Sequence, residues 1–398
     1  MCTEVVYPKI IRRKIYARTM ESDMMERDVS IQSFTLSLSI AFLIFILINS
    51  SFSSLITKPL LRDASIIVHG RYTITYDALE TIGTTDGVNV VAIGSSITRA
   101  SIDGNCIENY SSIPDLQVYN LGLSAANPYT ELMQLTALIN SKPDIVMLET
   151  GVNSFWDIDS QKRANDIDED AYIEYRMRLS SILMENSDFG NWTELVREQD
   201  MEFLYDDYFS RNNEISKYSN EAIEELFKRV ILNKSSAPDT NSWLRAPEST
   251  DDEWNDYLST PNYRIGVWNN GSVIQDWDLW FENNMAQYSE FGEFNPQHSG
   301  TLFHIVLEYI VEELTSNGIS VILVAAPRNP MIFDYLEPGQ TDGLNSSLSN
   351  LTINENVYVE NMFWDSWDRD DFLDRNHLNN NGRQKMCEIM APIIDSIA

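Results

Sequence analysis

Five short apolar runs set the limits on what this chain can fold into. They are VNVVAIG (88–94), LQVYNLG (116–122), PDIVMLETG (143–151), ISVILVAAP (319–327) and NVYVENMF (356–363). In most of them apolar residues follow one another without polar alternation, so the strands they predict are buried on both faces. Helical periods stand between them: PYTELMQLTALINS (128–141), TLFHIVLEYIVEELTSNG (301–318) with Gly318 as its C-cap, and GRQKMCEIMAPIIDSIA (382–398). Strands that alternate with helices predict an α/β fold built on a parallel sheet covered on both faces.

The alternation breaks between about 155 and 300. That segment is polar and acidic, and six of the nine tryptophans fall between Trp192 and Trp280. It reads as a long insertion between the third strand and the next helix, with a helix-like piece at NEAIEELFKRVIL (220–232). Trp243, Trp254, Trp268, Trp277 and Trp280 either fill a small core or stack over sugar rings.

Ahead of the first strand, residues 29–57 carry no charge. About 20 apolar residues span a bilayer as a helix, so 31–56 is expected to be a transmembrane anchor. The charged segment before it is longer than a signal peptide's, and no A-x-A-like cleavage site follows. Lys9, Arg12, Arg13, Lys14, Arg18 and Arg27 precede the run, whereas only Lys58 and Arg62 follow it closely. Positive-inside bias then makes 1–30 a cytoplasmic tail. It places a linker (57–85) and the domain 86–398 outside the cell, with the chain in the cell membrane as a single-pass protein.

The formal net charge is −32, with nine lysines. Such a surface repels nucleic acid and anionic lipid, and neither is expected as a partner. Dense carboxylates suit solubility in high salt, as in a halophilic organism. Cys2, Cys106 and Cys387 form no metal-binding spacing. Cys106 and Cys387 are expected as buried thiols, with a bridge between them open only if both lie outside the cell.

Nucleophilic catalysis by serine needs a base, a group to orient that base, and donors for an oxyanion. The first strand runs into Gly94-Ser95-Ser96, at the sheet edge where open α/β folds bind ligands. Serines there also serve as helix N-caps. The search for a base is short, because the chain has four histidines: His69, His298, His304 and His377. Asp374 precedes His377 by three residues, and a D-x-x-H turn lets the carboxylate fix the imidazole tautomer. A competing nucleophile is Ser124 in NLGLSAAN, which approximates the G-x-S-x-G elbow but has alanine for its second glycine.

The order GSS, NLG, GVN, DRNH resembles the SGNH (GDSL-like) hydrolase superfamily over roughly 86–155 and 300–398. The resemblance implies a three-layer α/β/α flavodoxin-like fold. It implies Ser96 as nucleophile, His377 as base and Asp374 as the group that orients it. The backbone N–H groups of Ser96 and Gly122 and the side-chain amide of Asn153 would form the oxyanion hole. Ser95 and Ser154 stand where the family usually has aspartates. The GSS block and the D-x-x-H-L-N ending also resemble the membrane-anchored DltD-like and alginate-acetylation proteins.

The expected function is therefore a membrane-anchored esterase or O-acyltransferase acting on acyl esters of cell-surface glycans or polysaccharides, with no cofactor. Arg328 and His298 are candidates for contacts to substrate. The alternative is a non-catalytic glycan-binding or surface-polymer assembly protein on the same fold.

Overall fold

The computed structural model describes residues 31–63, 65–66, 79–80, 82–123, 126–151, 177–184, 192, 195–196, 201, 204, 208–237, 268–269, 273–274, 302–335, 342–352, 355–363, 367–373 and 376–398. The chain divides into two compact units, Met1–Phe52 and Ser53–Ala398. The first contains helix α1 (Ile31–Phe52), none of whose residues is buried. At 1.5 Å per residue its 22 residues extend about 33 Å, close to the thickness of a bilayer's hydrocarbon core. Among the described residues it marks the one helix long and apolar enough to cross a membrane.

The second unit opens with a π-helical turn, Ser53–Thr57, and the short helix α2 (Lys58–Arg62). Leu60, Leu61 and Ile66 are buried, so part of the expected linker is packed. Then come β1 (Val88–Ile93), α3 (Ser96–Ser101), α4 (Gly104–Tyr110), β2 (Leu116–Asn120), α5 (Pro128–Ser141) and β3 (Ile145–Thr150). Within the expected insertion lie α6 (Tyr208–Ile215), α7 (Ser219–Ile231) and two two-residue strands, β4 (Trp268–Asn269) and β5 (Val273–Ile274). The chain closes with α8 (Leu302–Ser316), β6 (Ser320–Ala325), α9 (Asp342–Leu351), β7 (Val357–Asn361) and α10 (Asn380–Ile397).

The main sheet has the order β2-β1-β3-β6-β7, and every pairing in it is parallel. All five strands fall inside the five apolar runs. Their side chains alternate between two cores. Val91 and Ile93 pack with Leu132 and Leu138 of α5 and with Val306 and Ile310 of α8. Val90 and Ala92 pack on the opposite face with Ile107 of α4 and Met386 and Met390 of α10. Helices on both faces explain why β1, β3 and β6 are largely apolar, with Asn89, Glu149, Thr150 and Ser320 as their polar positions.

Two features depart from the sequence reading. Met177, Met184, Trp192, Leu195 and Leu204 belong to the α5–α8 core, so part of the expected insertion is integral to the domain. Cys106 and Cys387 are joined as a disulfide, in place of two thiols. Helices α4 and α10 pack side by side on one sheet face, and this long-range contact brings the sulfurs together. Trp243, Trp254, Trp277 and Trp280 lie outside the described residues.

Candidate active site

In strand order β1 has β2 on one side and β3 on the other, so the chain reverses its winding direction there. In open α/β sheets this opens a crevice beyond the carboxyl ends of the strands. Ser95 and Ser96 sit at that end of β1 and divide the two roles their position offers. Ser95 is the N-cap of α3, its hydroxyl accepting from Ile97 N–H at 3.1 Å. Ser96 is the first helical residue, and its Oγ lies 2.9 Å from His377 Nε2. The backbone N–H of Ser96 has no hydrogen-bond partner among the described residues.

A carboxylate that local sequence did not single out clamps this turn. Glu149, near the end of β3 and 9% exposed, accepts from Ser95 N–H at 2.8 Å and Thr98 N–H at 3.1 Å. It also accepts from both hydroxyls, Thr98 Oγ1 at 2.6 Å and Ser95 Oγ at 2.9 Å. Ser96 is held between the two clamped residues. Gly94 makes the approach possible, since a Cβ there would come within 2.4 Å of the Glu149 side chain. Glu131, on the first turn of α5, is 3% exposed. Burial pushes its carboxyl well above the usual carboxylate range, and the nearby charge of Glu149 adds to that rise.

The loop after β2 closes over α3. Asn120 donates to the carbonyls of Thr98, Arg99 and Ile102, the last at 2.8 Å, and its Oδ1 accepts from Gly122 N–H at 3.1 Å. The expected oxyanion donor Gly122 N–H thus already has an acceptor, and binding an oxyanion requires it to share or exchange that bond. A Cβ on Gly122 would meet Ser95 O at 2.9 Å and Arg99 N at 2.7 Å, so contact between the loops itself demands glycine.

His377 sits on a tight return of the chain. Phe372 and Leu378 form an antiparallel bridge, and Leu373 N–H donates to His377 O at 2.8 Å. Asn379 then N-caps α10, accepting from Asn381 and Gly382 N–H. Gly382 is needed for packing, because a Cβ would lie 2.3 Å from Asp371 O. Arg383, 3% exposed, donates to Ala100 O at 3.4 Å and Leu378 O at 3.3 Å. It joins the helix that carries Ser96 to the loop that carries His377. Its cue in the sequence is slight: one arginine early in the last helix.

Arg328 lies past the carboxyl end of β6 and is 5% exposed. Its guanidinium carbon is 5.9 Å from the Phe363 ring centroid, and Nη2 is 3.2 Å from where a Cβ on Gly151 would stand. His304 is buried on α8 beside Glu308, at 3.2 Å. Asp374, Asn153, Ser154, Ser124, His69 and His298 lie outside the described residues. No group of three or more His, Cys, Asp or Glu is placed to hold a metal among the described residues.

No protein-family model matches the chain, and no curated protein matches it.

Proposed function

We propose that the chain is a membrane-anchored serine esterase or O-acyltransferase of the SGNH, flavodoxin-like type, acting on acyl esters of cell-surface glycans. The observation that carries this reading is the 2.9 Å contact between Ser96 Oγ and His377 Nε2, across 281 residues of sequence. A neutral imidazole protonated at Nδ1 presents a lone pair at Nε2, and the Ser96 hydroxyl donates to it. Ser96 Oγ then attacks the ester carbonyl as its proton passes to Nε2. The tetrahedral oxyanion is received by the N–H of Ser96, with Gly122 N–H and the Asn153 amide in supporting roles. The imidazolium, steadied by Asp374, returns the proton to the leaving alcohol and an acyl-enzyme remains. Water or a glycan hydroxyl gives its proton to Nε2 and takes the acyl group, which regenerates Ser96.

Two further facts support an extracytoplasmic site. Helix α1 is long enough to hold the chain in a membrane, and the Cys106–Cys387 disulfide suits an oxidising compartment. A fluorophosphonate probe tests the enzyme reading. It should label the wild type and Ser95→Ala but not Ser96→Ala. Labelling lost in Ser124→Ala alone would move the nucleophile to Ser124, and no labelling of folded protein would sink the reading. Protease added to intact cells should release the carboxyl-terminal domain; complete protection there would reverse the orientation.

A further inference from the structure

Helix α7 carries an apolar stripe with no core beneath it among the described residues. Ile223, Phe227, Val230 and Ile231 are 56%, 56%, 75% and 63% exposed. They stand at i, i+4, i+7 and i+8, which gathers them into about 100° of the helix circumference. The opposite side is the packed one: Ala222 is fully buried and Glu225 nearly so. Phe209, at the start of α6, is 71% exposed and rests edge-on against Tyr208. Most of the large exposed apolar side chains described in the second unit lie on this one helical pair.

The position of the pair in the chain indicates what covers it. Helix α1 ends at Phe52, and the next residues, Ser53–Thr57, pack directly against α6 and α7. A helix that crosses a bilayer delivers those residues to its surface, about one helical turn beyond the apolar span. The contact is locked from the polar side. Arg229 donates to Asp63 at 2.8 Å and to Glu225 at 2.9 Å, and Glu225 accepts from Ser236 N–H at 2.8 Å. The local charge also departs from that of the chain. Residues 53–63 and 208–237 together hold seven Lys and Arg against one Asp and four Glu, net +2, in a protein of net −32. Lys217 and Lys228 are 61% and 46% exposed, with their ammonium groups beside Glu214 and Glu225.

We propose that α6 and α7 form a lipid-docking element, with Ile223, Phe227, Val230, Ile231 and Phe209 seated in the headgroup–acyl boundary of the bilayer that α1 crosses. An exposed apolar stripe, on a helix whose other side packs on the protein and which carries exposed lysines, fits an element that rests in a membrane interface. The inference rests on α1 being a membrane anchor.

The test uses the full chain with Cys2→Ser, reconstituted at low density in phosphatidylcholine vesicles. Single spin labels are placed at Phe227→Cys, Val230→Cys, Glu221→Cys and Phe42→Cys. Collision rates with oxygen and with a water-soluble nickel chelate report depth. Positions 227 and 230 should read about 5–10 Å inside the boundary, and position 221 should read as water. Nickel access at 227 and 230 equal to that at 221 would overturn the inference. So would low collision with both reagents, which means cover by protein. Spin–spin broadening lost on dilution with unlabelled chain would identify a second copy as the occupant and overturn it as well. Position 42 separates the two readings. Lipid at 42 with water at 230 removes only the docking element; water at 42 removes the anchor and the docking element with it.

Discussion

Replacing Glu149 tests whether the turn that carries Ser96 is held as the structure indicates. In Glu149→Ala, the N–H groups of Ser95 and Thr98 lose their acceptor in a site where Glu149 itself is 9% exposed. The two hydroxyls can rotate to other acceptors, but the two N–H groups are fixed by the chain. Each buried unpaired donor costs about 1–3 kcal/mol, so the variant should lose about 2–6 kcal/mol. Glu149→Gln keeps one oxygen for both N–H groups and loses the charge. Bonds to charged groups exceed neutral ones by about 1 kcal/mol, so the cost should be about 2 kcal/mol. With a urea slope near 3 kcal/mol/M, the midpoint of the full chain in detergent should fall by about 0.7 M for Gln and about 0.7–2 M for Ala. A displacement of Ser96 within the loosened turn should also slow fluorophosphonate labelling of folded Glu149→Gln, by about tenfold. A Glu149→Ala midpoint within about 0.2 M of wild type would refute the clamp, given that slope. Unchanged labelling in Glu149→Gln would separate the clamp from catalysis.

Glu131 predicts a pH dependence of the opposite sign to a paired carboxylate. Its folded-state pKa is raised by burial and then by Glu149, so the fold keeps a proton that the unfolded chain releases. Its contribution is fully present below the ordinary carboxylate pKa and is lost as pH rises above it. Glu131→Gln should therefore leave the urea midpoint unchanged at pH 4 and raise it at pH 8; an equal effect at both would contradict the assignment. Reducing the Cys106–Cys387 bridge, or replacing both cysteines by serine, should cost about 2–5 kcal/mol, measured by the same denaturation. An unchanged midpoint would show that helix packing alone supplies the stability of that face.

The strands were legible because burial on both faces leaves a largely apolar run, interrupted by Asn89 alone in VNVVAIG and by Ser320 alone in ISVILVAAP. The Ser96–His377 pairing was within reach because few histidines compete for the role. Other features hid in contacts that no local pattern encodes. Glu149 looks like one acidic residue closing an apolar strand, and nothing nearby says that its carboxylate meets the turn after β1. Arg383 looks like any arginine near a helix start until its carbonyl partners are seen. Helix α7 was visible as a period, but which face it would leave uncovered depended on the chain segment after α1. The aliphatic residues between Met177 and Leu204 have no regular spacing, and so their share in the α5–α8 core could not be read.

The two cysteines of the disulfide and the Ser96–His377 pair are separated by the same sequence distance, 281 residues. Cys106 lies ten residues after Ser96, and Cys387 ten residues after His377. The bridge therefore closes nearly the whole second unit into a covalent ring, with Ser96 just outside it and His377 just within. A single cut anywhere between the two cysteines opens the ring without dividing the molecule. A protease that nicks the acidic, tryptophan-rich segment would therefore leave Ser96 and His377 on one covalent body.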